Sequence, residues 1–155
     1  MVDVHVPDTI YEVPVDIAFD YLNDYNSFKE FMFGVNHLEP ISENTSGLGA
    51  TFEGGMMLGP AHLKSTVKVI DWKQNELISM ESIAGFDCTL QFSFAPLGES
   101  RSKVSSEVSY RLPGGIAGKL LGKTIQPFVA IATKHSVDNA AKHVPAYYAR
   151  RRNSA

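Results

Sequence analysis

One long helical stretch in the last third of the chain, Leu112 to Val144, limits what the rest can fold into. It opens with Pro113-Gly114-Gly115 and contains Pro127. About thirty residues at 1.5 Å each span ~45 Å. A lone helix of that length needs a broad apolar surface to lie on, and an antiparallel sheet about 30 Å across can supply it. Leu121, Ile125, Phe128, Ala132 and His135 recur at helical spacing and predict the face that meets the sheet. Pro127 costs about 3 kcal/mol inside a helix and predicts a kink or break.

The preceding sequence supplies that sheet. A first strand is predicted from His5 to Val13. Pro14 suits a first helical turn, and Val15, Ala18, Phe19 and Leu22 follow at helical spacing until Asn23-Asp24. A second short helix is predicted over Ser27 to Phe33 and ends at Gly34. Six strands follow: Val35–Ile41, Ala50–Leu58, His62–Asp71, Glu76–Ser82, Phe86–Ala95 and Lys103–Leu112. The turns between them are too short for βαβ crossovers, so the strands are expected to run antiparallel. Alternation is clearest in three. Leu63, Ser65, Val67 and Val69 share one face; so do Cys88, Leu90, Phe92 and Phe94; so do Val104, Ser106, Val108 and Tyr110. Polar residues occupy the opposite faces, so one side of the sheet is covered and the other wet. The expected class is α+β, with a seven-stranded antiparallel sheet, two short helices after the first strand, and a long C-terminal helix.

At 155 residues one domain is expected, residues 1–149, followed by a frayed basic tail over 150–155. The single cysteine, Cys88, excludes an internal disulfide framework. The N-terminus has no basic region followed by an apolar run, and no apolar run reaches eighteen residues. A cytoplasmic protein is expected. Residues 1–112 hold seven Lys/Arg against sixteen Asp/Glu, net −9, while residues 113–155 hold seven Lys/Arg against Asp138 alone, net +6. This asymmetry fits internal complementarity, or attraction to an anionic ligand or membrane surface. Nucleic acid is not expected, since no basic patch is interleaved with base-stacking aromatics.

The motifs exclude more than they assign. Gly118 to Thr124 has the residues of a phosphate loop, but Gly-x4-Gly-Lys-Thr would need glycine where Ala117 stands. His5, His37, His62, His135 and His143 form no His-Glu-x-x-His pair, so neither metal nor cofactor is expected. Gly114, Gly118 and Gly122 recur every fourth residue and suit close helix packing or a gate. The facing of Glu53 and Glu81 is left open. A pocket is expected between sheet and helix, lined by Leu63, Ser65, Val67, Leu90, Phe92, Ser106, Val108, Tyr110, Leu121, Ile125, Phe128 and His135.

The stretch from Val13 to Asp24, the Phe28 to Val35 segment, Gly47-Leu48-Gly49 and the Leu112-Pro113-Gly114-Gly115 to Gly118-Lys119 run occur in an order that resembles the START-like, helix-grip superfamily. The similarity is to its polyketide cyclase/dehydrase and lipid-transport (SRPBCC) branch, and the last run is similar to that of many actinobacterial members. Where the second helix of members often carries tryptophan, Phe31 or Phe33 stands here. The resemblance implies a curved sheet gripping the last helix around an elongated apolar cavity. It implies binding or transport of a hydrophobic small molecule such as a lipid, fatty acid or polyketide; the charge asymmetry adds that an anionic end, if the ligand has one, lies near the basic helix. Alternatives are a cyclase or dehydratase using Tyr110 and His135, and a regulatory protein with a collapsed cavity. The superfamily has no universal catalytic residue, so no catalytic role is carried over. Contacts with a membrane surface, and a monomeric or homodimeric state, stay open.

Overall fold

The structure, a computed structural model, describes residues 1–154. The elements run β1 (Val2–Val4), β2 (Thr9–Tyr11), α1 (Val15–Asn23), α2 (Tyr25–Phe31), β3 (Val35–Pro40), β4 (Thr51–Leu58), β5 (Ala61–Lys73), β6 (Leu77–Gly85), β7 (Asp87–Pro96), β8 (Ser102–Arg111) and α3 (Gly115–Ser154). The strands form one antiparallel sheet in the order β1-β8-β7-β6-β5-β4-β3, with β2 also pairing β8. Consecutive strands from β3 to β8 are neighbours, as hairpin-length turns require.

The first strand differs from its expected form. Of His5 to Val13 only Thr9–Tyr11 is strand, and a further piece, Val2–Val4, precedes it; Pro7 between them has no N–H to give the ladder. Val4 lies opposite Val108 while Thr9 lies opposite Val104, so the register slips by one residue between them. Val4 and then Tyr11 can therefore both face inward despite their odd separation.

Asp24 separates the two short helices. Its backbone is extended, and its carboxylate accepts from the Asn26 N–H at 2.9 Å. Pro14 sits one position before the expected first turn, with its carbonyl accepting from Ile17 and Ala18. The Trp72 indole donates to Asn23 Oδ1 at 3.0 Å, tying β5 to the end of α1.

The last helix is longer than expected. It starts at Gly115, continues through both Pro127 and Pro145 without a break, and reaches Ser154. Forty residues make it ~60 Å long, more than the sheet can cover. Its second half lies on α1 and α2 instead. Val144 is fully buried, Tyr147 packs on Tyr21 at 5.5 Å, and Asn139 Nδ2 donates to the Phe31 carbonyl at 3.2 Å. Of the tail expected over 150–155, residues 150–154 are helical, and Ala155 lies outside the described residues. The Arg151 guanidinium donates to the Tyr147 hydroxyl and to Asp20 Oδ2, and Arg152 lies over the Tyr148 ring. Side-chain anchors hold turns that composition alone would leave loose.

Candidate functional site

A pocket of about 280 Å³ lies between the covered face of the sheet and α3. The size is at the lower edge of small-molecule sites. Alternation along the strands builds it. Phe52, Gly54, Met56 and Leu58 project from β4, Leu63, Ser65, Val67 and Val69 from β5, and Cys88, Leu90 and Phe92 from β7. Ser106, Val108 and Tyr110 line it from β8, and Phe28, Met32 and Val35 close one side. Two hydrophobic clusters meet at this space. One contains Phe19, Phe52, Val69 and Phe92; the other contains Leu63, Tyr110, Ile125 and Ala132.

The lining contains no Asp, Glu, Lys or Arg; its one imidazole, His37 on β3, is half-exposed and lies 3.8 Å from the Glu39 carboxylate. Glu53 and Glu81, whose facing the alternation left open, are exposed on the outer side. Lys119, Lys123 and Lys134 also point to solvent, so the expected anionic end of a ligand finds no cation inside. Several polar groups on the lining are already satisfied. Ser65 Oγ donates to the Phe86 carbonyl at 2.8 Å, Thr133 Oγ1 donates to the Val129 carbonyl, and Ser136 Oγ accepts from the Phe33 N–H at 2.8 Å. Burial pushes the Cys88 thiol above its ordinary pKa, with the Ser65 hydroxyl opposing and Asp87 adding to the rise. A neutral, weakly nucleophilic thiol results. The hydroxyls of Ser106 and Tyr110, two pleats apart on β8 and facing the same way, have no hydrogen-bond partner among the described residues.

Nine of the twelve residues expected at the pocket line it: Leu63, Ser65, Val67, Leu90, Phe92, Ser106, Val108, Tyr110 and Ile125. Leu121 and Phe128 do not. They pack into the second cluster, with the Phe128 ring so close over Gly59 that a Cβ there would meet Phe128 Cε2 at 2.2 Å. His135 is outside altogether. It is exposed and stacks on the Phe33 ring at 4.7 Å, leaving Ser136 on the pocket side. After Ala132 the inward stripe advances by four residues, through Ser136 and Ala140 to Val144, where the helix packs on α1 and α2 instead of the sheet. The expected proton-moving pair of Tyr110 and His135 is therefore not assembled.

Sequence reasoning passed over Val129, Thr133 and Ser136 on α3 and the inward row on β4. The β4 row does alternate, but Gly54-Gly55 hides its period. The glycines of α3 also have a different partner from the sheet. A Cβ on Gly118 would fall 1.6 Å from the Pro113 carbonyl oxygen, and one on Gly122 2.9 Å from Leu112 Cδ1. They let the connection from β8 fold back against the helix it enters.

The family described as polyketide cyclase / dehydrase and lipid transport matches residues 11–133. No curated protein matches the sequence significantly. Among solved structures, a protein from Thermus thermophilus is similar with a TM-score of 0.76 at 18% identity, covering 94% of this chain and 98% of that one. The Zhui aromatase/cyclase from Streptomyces sp. R1128 has a TM-score of 0.72 at 11% identity, covering 93% of both chains. Norcoclaurine synthase from Thalictrum flavum, solved with dopamine and hydroxybenzaldehyde, has a TM-score of 0.61 at 14% identity, covering 94% of this chain and 88% of that one. At these identities the likeness is one of fold, a helix-grip arrangement of sheet and long helix.

Proposed function

The chain belongs to the polyketide cyclase / dehydrase and lipid transport family, and from that premise we propose that it binds an uncharged or weakly polar hydrophobic small molecule between the sheet and α3. The observation that carries this reading is the pocket lining, which is apolar and free of carboxylates, ammonium and guanidinium groups. A formal charge would lose its hydration there and meet only His37, which is half-exposed and already beside Glu39. Apolar contact supplies the affinity, at about 25 cal/mol per Å² buried. The Ser106 and Tyr110 hydroxyls supply orientation, so the guest carries an oxygen acceptor or hydroxyl of the kind found in lipids, fatty alcohols and polyketides.

Native mass spectrometry of the protein purified from its own host tests the reading, together with titration by an apolar fluorescent dye. A co-purifying neutral lipid or polyketide, or saturable dye uptake, is the expected result. Val108→Trp should fill the pocket and weaken uptake at least about tenfold, since a shared site cannot hold both ring and guest. Wild-type protein that takes up neither ligand nor dye would sink the proposal, as would dye binding unchanged in Val108→Trp.

A further inference from the structure

The first half of α3 buries one face and leaves the opposite one bare. Ile125 and Ala132 point inward, while Ile116, Leu120 and Ile131 project outward with 79%, 60% and 48% of their surfaces exposed. At 3.6 residues per turn these three fall within about 60° of one another. Lys119, Lys123 and Lys134 are exposed along the same outer side. Residues 116–134 contain no Asp or Glu. Lys119 and Lys123 have no ion pair among the described residues; Lys134 meets Asp138 one turn further on. Solubility would need only the lysines, and packing would need only the inner face. Neither accounts for a row of large aliphatic side chains in water.

We propose that this outer face of α3 docks on an anionic lipid surface. Ile116, Leu120 and Ile131 enter the boundary between headgroups and acyl chains, and the three lysines lie among the anionic headgroups with their stems along the apolar row. Charge favours this occupant over a second copy of the chain, because two such faces brought together would oppose lysine to lysine. Charge also sets the orientation. Residues 113–155 carry +6 and residues 1–112 carry −9, so an anionic surface attracts the helix and repels the body behind it. The inner face of the same helix lines the pocket, so docking sets a pocket wall against the bilayer. The proposal does not depend on what fills the pocket.

Co-sedimentation of the full chain with vesicles tests it, using phosphatidylcholine alone and phosphatidylcholine with phosphatidylglycerol. The expected result is binding to the anionic vesicles that weakens as salt is added. Lys119→Ala/Lys123→Ala should weaken it roughly 30-fold, since each lysine near the surface contributes about fivefold. Ile116→Asp/Leu120→Asp should abolish it with the circular dichroism spectrum unchanged, because both positions are solvent-exposed. Absence of binding to anionic vesicles at low salt overturns the proposal, and so does binding that both double variants retain. A wild-type dimer that Ile116→Asp/Leu120→Asp dissociates, without vesicle binding, would assign the face to a second copy instead. Dye uptake measured on the same variants keeps this outcome separate from that of the pocket.

Discussion

At the scale of single residues, the register of α3 decides which side chains matter. His135 and Ser136 are adjacent in sequence, but only Ser136 reaches inward, where its hydroxyl accepts the Phe33 N–H. We expect Ser136→Ala to cost about 1 kcal/mol by denaturant unfolding, the net value of one hydrogen bond. His135→Ala should stay within about 0.5 kcal/mol, as exposed substitutions do. Equal costs for the two would contradict the observed register. Gly118 is a sharper case, because the Pro113 carbonyl occupies the space where a side chain would begin. Gly118→Ala should destabilise by roughly 1–3 kcal/mol through overpacking, even though alanine favours helix. A melting temperature equal to or above wild type would show that the connection moves aside without cost. The helical spacing of apolar residues made Ile125 and Ala132 legible. It could not separate His135 from Ser136, since a 3.6-residue repeat allows steps of either three or four.

At the scale of elements, α3 performs two packing tasks with one continuous helix. Its first half faces the sheet and pocket, and its second half is clamped to α1 and α2 through Val144, Tyr147 and Arg151. Glu30 Oε1 sits at the centre of the clamp, accepting from the Tyr21 hydroxyl at 3.0 Å with His143 Nδ1 also at 3.0 Å. That second contact explains why the helix outran the expected end at Val144, since local sequence carries no record of a partner more than a hundred residues away. Pro127 is exposed, so alanine there would lose little packing. Its ring only removes a helical hydrogen bond. Pro127→Ala should therefore stabilise the protein, by up to about 3 kcal/mol, read as a raised melting temperature. A lowered melting temperature would mean that the proline helps the helix to meet both partners. The strands were legible because their period-two patterns bury one face. The first strand was not, because the register slip across Val6-Pro7-Asp8 exists only relative to β8.

At the scale of the whole molecule, the buried core ties stability to alkaline pH. Burial pushes the Tyr11 phenol up from 10.0 to about 12, with the Thr9 hydroxyl opposing the rise. The folded state thus holds a proton that the unfolded chain releases first. Its contribution is complete below pH 10 and is lost as pH rises towards 12, by roughly 2–3 kcal/mol. Tyr11→Phe should flatten the fall in melting temperature across that window, and an unchanged profile would remove Tyr11 as its source. Burial likewise raises the Tyr21 phenol, through loss of hydration and the neighbouring Glu30 carboxylate, so its hydroxyl keeps donating to Glu30 in alkaline solution while the unfolded chain loses the same proton earlier. The class of fold was legible in the chain before any contact was known, because strand alternation, hairpin-length turns and one long terminal helix admit few arrangements. The sequence also placed most of the inward side chains of β5, β7 and β8, because a strand's two faces follow from parity alone. The split of the first strand, the docking of α3's second half on α1 and α2, the exclusion of His135 and the lack of Asp, Glu, Lys and Arg on the pocket lining emerged only with the folded arrangement. Each depends on the angle and register at which one element meets another, and those follow from contacts between residues far apart in the chain.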